Sequence, residues 1–93
     1  MTYKIILEPR ANQDLLNIIS YITKKDSRHK ANDFARELKE SIISLSEMPM
    51  RCRKSFYLER GNTRDLIHKG YTIVFQVRED RVHILTIFRQ MAF

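Results

Sequence analysis

Seven basic side chains set the chemistry open to this sequence: Arg51, Arg53, Lys54, Arg60, Arg64, Lys69 and Arg89, with Tyr57 and Tyr71 as aromatic neighbours. Arginine and lysine beside aromatic rings suit contacts to phosphates and bases. They also suit stabilisation of the charge that develops when a 2′-hydroxyl attacks a neighbouring phosphodiester. That reaction needs a proton acceptor, and none stands out beside the basic set. His68 or His83 could act as a general base, but half-buried structural roles are the simpler expectation for both. His29, His68 and His83 are scattered, with no second histidine or carboxylate at ligand spacing, so no metal site is expected. There is no Gly-rich phosphate loop, and no cofactor is expected. Cys52 is the only cysteine, which excludes an internal disulfide and a cysteine metal cluster. Its neighbours Arg51 and Arg53 could lower its pKa; a passive thiol in a loop is the simpler reading.

The 93 residues are read as one domain, 1–93. A chain of this size buries only about two-thirds of its unfolded surface, which favours a groove or a flat contact face over a deep pocket. The net charge of +6 is uneven. Residues 1–49 hold eight Lys/Arg and seven Asp/Glu, a net of +1, and residues 50–93 hold nine and four, a net of +5. A basic C-terminal half points to a partner carrying negative charge: RNA, DNA or an acidic protein segment. No apolar run approaches the roughly 18–20 residues that span a bilayer. The N-terminus lacks the pattern of a secretory signal, so no membrane association and a cytoplasmic location are expected.

The elements that must hold the basic residues are legible in the periodicity. Residues 3–8 alternate as a short strand, with Tyr3, Ile5 and Leu7 on one face. Pro9 suits the first turn of a helix, and Leu15, Ile18, Ile19 and Ile22 then sit at helical spacing. KKDSRH breaks the pattern, with Asp26 or Ser27 as a cap, and is read as a connection of about five residues. Ala31, Phe34, Ala35, Leu38, Ile42 and Leu45 form a second helical stripe, ended by Pro49. Three strands follow at Arg64–Lys69, Tyr71–Arg78 and Arg81–Arg89. The first hairpin turns at Lys69-Gly70; Glu79-Asp80 is a less favourable two-residue turn. The fold class is α+β, in the order β-α-α-β-β-β, a helical hairpin on one face of a small antiparallel sheet. Alternation places Val82, Ile84 and Phe88 on one face of the last strand and Leu85 and Ile87 on the other. The sheet is therefore apolar on both faces, and an exposed apolar patch is expected on the face without helices.

These motifs together resemble the RelE/ParE superfamily of type II toxin–antitoxin toxins. The hairpin reads A-x-x-D-L-x-x-I-x-x-Y-I at Ala11, Asp14, Leu15, Ile18, Tyr21 and Ile22. It continues as A-x-x-F-x-x-x-L-x-x-x-I-x-x-L-x-x-x-P from Ala31 to Pro49. The strands give R-D-L at 64–66, G-Y-x-I-V-F-x-V at 70–77 and V-x-I-L-x-I at 82–87. The resemblance implies a small basic toxin held in a hetero-oligomer by a cognate antitoxin, whose acidic C-terminal segment wraps it. The nuclease branch of the superfamily, RelE-like, cleaves mRNA on the ribosome. It usually places an arginine where this chain has Thr72, and histidine or tyrosine near Gln90 and Met91. The hairpin is similar to the branch that inhibits DNA gyrase, the ParE-like one. So is the ending I-F-R-Q-M-A-F, with Arg89 where that branch has histidine and one residue fewer before Met91. A gyrase-binding inhibitor is therefore expected, in which Arg53, Lys54, Tyr57, Arg64, Lys69, Arg89, Met91 and Phe93 contact the target or antitoxin. The alternative is a ribosome-dependent endoribonuclease using Arg51, Arg53, Lys54, Arg64 and Arg89.

Overall fold

The structure, a computed structural model, describes residues 2–56, 58 and 60–89. Strand β1 (Lys4–Leu7) leads into helix α1 (Pro9–Lys25) and helix α2 (Arg28–Ile43). A 3-10 turn at Ser44–Ser46 and another at Pro49–Arg51 carry the chain to β2 (Arg53–Lys54), β3 (Thr63–His68), β4 (Tyr71–Arg78) and β5 (Arg81–Arg89). The expected α+β order is present, with β2 as an addition too short for periodicity to reveal. The five strands lie in the order β1-β5-β4-β3-β2. Antiparallel pairing holds from β2 to β5, whereas β1 lies parallel to β5. A parallel neighbour needs a long crossover, and the helical hairpin and the β2–β4 segment supply it.

Local sequence explains the elements. Pro9 opens α1, and Lys24 and Lys25 occupy its last turn, where positive charge suits the helix dipole. The helices are joined by Asp26 and Ser27 alone, a tighter connection than the five residues expected. Ser27 is the N-cap of α2, its hydroxyl accepting from the Lys30 N–H at 3.1 Å, while the Asp26 carboxylate pairs with the Lys30 ammonium at 3.1 Å. The α2 stripe outlasts the α-helix: Leu45 is fully buried from the 3-10 turn. Met48 (φ 50°) then reverses the chain before Pro49. Both hairpins close in two residues. Glu79 accepts φ 54° in the second, despite the cost for a residue with a side chain.

The core lies between the helical hairpin and one sheet face. Ala11, Leu15 and Ile18 of α1 and Leu38 and Ile42 of α2 pack on Ile73, Phe75, Val77, Val82, Ile84 and Ile87. Simple alternation fails in β5. Val74 pairs with Thr86 and Phe75 with Ile84, so Leu85 is an extra residue, a β-bulge. Beyond it the faces exchange. Ile87, expected opposite Ile84, joins it in the core at 2% exposure. Phe88 passes to the far face, and Arg89 comes to the helix side.

The open apolar patch expected on that far face is not there as such. Thr72 and Val74 are buried at 0% and 1%, although Ile67 remains 42% exposed. The segment after β2 lies along β3. The Ser55 N–H donates to the Thr63 carbonyl at 2.9 Å, and the Phe56 N–H donates to the buried Asp65 carboxylate at 3.2 Å.

Candidate functional site

The register keeps Arg53, Lys54 and Arg64 side by side and separates Arg89 from them. Lys54 pairs with Arg64, and Arg64 with Phe75. Arg89 pairs with Tyr71, farther along β4. Four residues along and three strands across put the Lys54 and Arg89 Cα atoms roughly 20 Å apart.

Two of the five arginine and lysine candidates for charge stabilisation are engaged in holding backbone. Arg51 donates from Nη1 to the carbonyls of Glu47 and Met48 at 3.0 and 3.1 Å, and from Nη2 to the Ser44 hydroxyl at 3.1 Å. It thereby braces the chain around Met48, the residue with positive φ. Arg64 donates from Nη1 to the carbonyls of Met50 and Cys52 at 3.2 and 2.5 Å, and from Nε to the Asn62 side chain at 2.8 Å. Arg53 is exposed and only partly engaged. Its guanidinium stacks 4.2 Å from the Phe56 ring centroid and lies 3.6 Å from the buried Asp65 carboxylate. Lys69 pairs with Glu37 at 2.6 Å. That ammonium, hydrogen-bonded to Glu37, holds its carboxyl below the usual carboxylate range, against a smaller opposing effect of burial. Lys54, Arg60 and Arg89 have no carboxylate partner among the described residues. Tyr57, Met91 and Phe93 lie outside those residues.

The histidines have structural settings. His83 Nδ1 meets the Glu8 carboxylate at 3.1 Å, tying β5 to the start of α1. His68 Nδ1 meets the Ser41 hydroxyl at 3.2 Å, and its ring lies 5.8 Å from Phe34. His29 is paired with Asp33 one helical turn away at 3.3 Å. No group of three His, Cys, Asp or Glu side chains gathers as metal ligands among the described residues. Burial pushes the Cys52 thiol above its ordinary pKa, and the opposing charges of Arg51 and Arg64 do not overcome it. A raised thiol pKa is the setting of an inert cysteine.

Arg89 stands apart because it opens onto a groove of about 360 Å³, lined by Asp14, Asn17, Ile18, Tyr21, Tyr71 and Ile87. One wall is α1 and the other is the ends of β4 and β5. The bulge at Leu85 is what turns Arg89 toward this groove. Asp14 secures that turn: its Oδ2 accepts from the Ile87 N–H at 3.0 Å and from the Thr86 hydroxyl at 2.6 Å. Its Oδ1 faces the Arg10 guanidinium at 3.3 Å. Tyr71 is held from behind by Phe34, ring centroids 5.2 Å apart. Asn17 and Tyr21 are groove residues that the basic set in the sequence does not indicate. The available signal was their spacing: Asp14, Asn17, Ile18 and Tyr21 follow steps of 3, 1 and 3 along α1, so they share one helical face. The groove thus offers one cation, aromatic rings and an apolar floor, a surface suited to contact.

Known proteins agree with this architecture. A chain of the chromosomal ParDE TA system from P. aeruginosa superposes with a TM-score of 0.83, at 18% identity, covering 97% of this chain and 98% of that one. A chain of the toxin–antitoxin complex RelBE2 from Mycobacterium tuberculosis superposes with a TM-score of 0.70, also at 18% identity, covering 97% and 93%. At such identity the likeness is one of fold. No curated protein matches the chain by sequence. The model of the family described as ParE toxin of type II toxin-antitoxin system, parDE, matches residues 5–92. The chain therefore belongs to the ParE toxin family of type II toxin–antitoxin systems.

Proposed function

We propose that this ParE-family toxin stops growth by binding DNA gyrase rather than by turning over RNA. We further propose that a cognate antitoxin neutralises it through an acidic C-terminal segment, in a toxin–antitoxin hetero-oligomer in the cytoplasm. The observation that carries the reading is that Arg89 stands apart from the other basic candidates, two of which are engaged in holding backbone. Phosphodiester cleavage needs cations and a proton acceptor converging on one phosphate. Arg51 and Arg64 are engaged with carbonyl groups, and Arg89 lies roughly 20 Å from Lys54 by strand geometry. Arg89 and its aromatic groove are instead arranged as a contact surface, with a guanidinium at the rim of an apolar floor, a composition favoured at protein interfaces. The neutralisation reading is supported by the net charge of +5 on residues 50–93, which suits an acidic partner, and by the family itself.

The test is induction of the chain in cells without antitoxin, following plasmid supercoiling and mRNA integrity together. The reading expects loss of negative supercoiling and an SOS response while transcripts stay intact. Rapid transcript cleavage with normal supercoiling would instead establish the endoribonuclease alternative. Co-expression of a partner with an acidic C-terminal half restores growth if the neutralisation reading holds.

A further inference from the structure

The outer side of β1 is an open sheet edge. The Lys4 N–H donates to the Asp80 carbonyl and the Glu8 N–H to the Ile84 carbonyl. Residues 4, 6 and 8 therefore direct their backbone groups toward β5, and residues 3, 5 and 7 direct theirs outward. The Tyr3 N–H is taken by the Ser46 carbonyl at 2.9 Å, while Ile5 and Leu7 have no outward backbone partner among the described residues. At the far end Pro9 begins α1 and has no N–H to offer. The usable edge thus runs from Lys4 to Glu8. Open edges are normally blunted or covered. This one is flanked on the helix side by an apolar groove of about 220 Å³, lined by Ile5, Leu7, Leu15, Lys39, Ile42 and Ile43. Leu7 and Ile43 are 36% and 62% exposed.

The edge reads KIILE, and it is complementary to itself when antiparallel. We propose that β1 is a dimerisation edge for a second copy of this chain, joined across a two-fold axis through Ile6. In that register Ile5 lies opposite Leu7 of the second copy, and the two residues exchange both N–H···O bonds; the two-fold repeats the exchange. Ile5 and Leu7 stand on the helix side, so Leu7 of the second copy enters the groove. On the other face Ile6 meets its own counterpart, and Lys4 stands directly across from Glu8. Opposite charges in that position stabilise a strand pair. Lys4 is exposed and is in no ion pair among the described residues. Glu8 is 38% exposed, with one carboxylate oxygen on His83 and the other left to pair.

Neighbouring registers do worse. Centring on Ile5 sets Leu7 against Tyr3, whose N–H is already spent on Ser46. Centring on Leu7 sets Ile5 against Pro9, which has none. The Ile6 register alone uses every free group and adds the charge pairs. A strand pair this short buries less than the ~1,200 Å² at the low end of stable interfaces, so the association is reversible. It leaves the Arg89 groove open, since the two grooves share no lining residue.

Sedimentation equilibrium of the purified chain, from low micromolar to near-millimolar concentration, tests the proposal. A reversible monomer–dimer equilibrium is expected, with amide exchange at Ile5 and Leu7 slowing as the dimer forms. Lys4→Glu sets carboxylates against each other at both ends of the pairing, and Glu8→Lys sets ammonium groups against each other. Each is expected to weaken dimerisation roughly tenfold. Mixed in equal amounts, the two variants regain opposite charges at both ends and form a mixed dimer. Lys4→Glu changes an exposed side chain with no ion-pair partner among the described residues, so it decides the matter even if Glu8→Lys, which also loses the His83 contact, folds poorly. A monomer at every concentration, a dimer that Lys4→Glu leaves intact, or two folded variants that fail to pair with each other overturns the proposal. Ile5 and Leu7 amides protected only when a different chain is added would likewise assign the edge to another occupant.

Discussion

The Asp14 carboxylate accepts the Ile87 backbone N–H at 3.0 Å and the Thr86 hydroxyl at 2.6 Å. The pairing of β1 with β5 ends at Leu7 and Ile84, so among the described residues no strand lies beside the Ile87 N–H on that side, and a carboxylate from α1 accepts it. Through this contact a residue in the first third of the chain anchors the end of β5 from which Arg89 emerges. Asp14→Ala is expected to cost about 1–3 kcal/mol, because a largely buried donor loses a charged acceptor. Urea denaturation measures it. A loss below about 0.5 kcal/mol, the level of an ordinary surface change, would show that the end of β5 holds itself.

The arginines divide by what they hold. Arg64→Ala releases the Met50 and Cys52 carbonyls and the Asn62 side chain, and should cost about 1–3 kcal/mol. Arg51→Ala should be destabilising as well, less so because its bonds are exposed. Arg89→Ala should leave stability within about 0.5 kcal/mol and still reduce growth inhibition. Melting curves on the purified variants, set beside plate assays of toxicity, separate the two behaviours. An Arg89→Ala variant that is fully toxic would reduce Arg89 to a strand terminus.

Lys69 and Glu37 carry a pH dependence of defined sign. The folded-state pKa of Glu37 is lowered, chiefly by its hydrogen bond to Lys69. The pair's contribution is therefore complete above the unfolded carboxylate value of about 4.3. It is lost as the pH falls through the lower folded value. The difference in melting temperature between the wild type and Lys69→Met should be present at neutral pH and shrink below about pH 4. It should also shrink in high salt, since the pair is exposed. A difference constant across pH would mean that Lys69 acts through the hairpin turn instead.

Cys52 should be a slow thiol. Burial raises its pKa, so little thiolate is present at neutral pH. Its reaction with a disulfide reagent at pH 7.5 should lag behind that of a free cysteine and catch up only in denaturant. Fast labelling of the folded chain would contradict that environment.

Much of this fold was legible because it follows period and punctuation. The helical stripes from Ala11 to Ile22 and from Ala31 to Leu45, the Lys69-Gly70 turn and the alternation of Tyr71–Arg78 all appear in the structure. The failures share one cause, which is that pairing is non-local. Nothing around Leu85 marks a bulge, since apolar residues at 84, 85, 87 and 88 fit either face. The parallel partner of β1 is 77 residues away by its register, Lys4 with Arg81, and short strands carry no signal of direction. The candidate site was half legible for the same reason. Arg89 could be named from the chain's ending, but its groove partners Asn17 and Tyr21 come from α1. Conversely, Arg51 and Arg64 looked like free charge in sequence because their acceptors are carbonyl groups, which no side-chain pattern discloses.

Contact with gyrase rather than RNA turnover is tested most directly by a single titration. Purified chain would be added to purified DNA gyrase and relaxed plasmid, and supercoiling followed with the wild type and with Arg89→Ala. The wild type should inhibit supercoiling in a dose-dependent manner, and Arg89→Ala should need markedly more protein for the same effect. Undiminished supercoiling at every dose of a folded, growth-inhibiting preparation would contradict the claim.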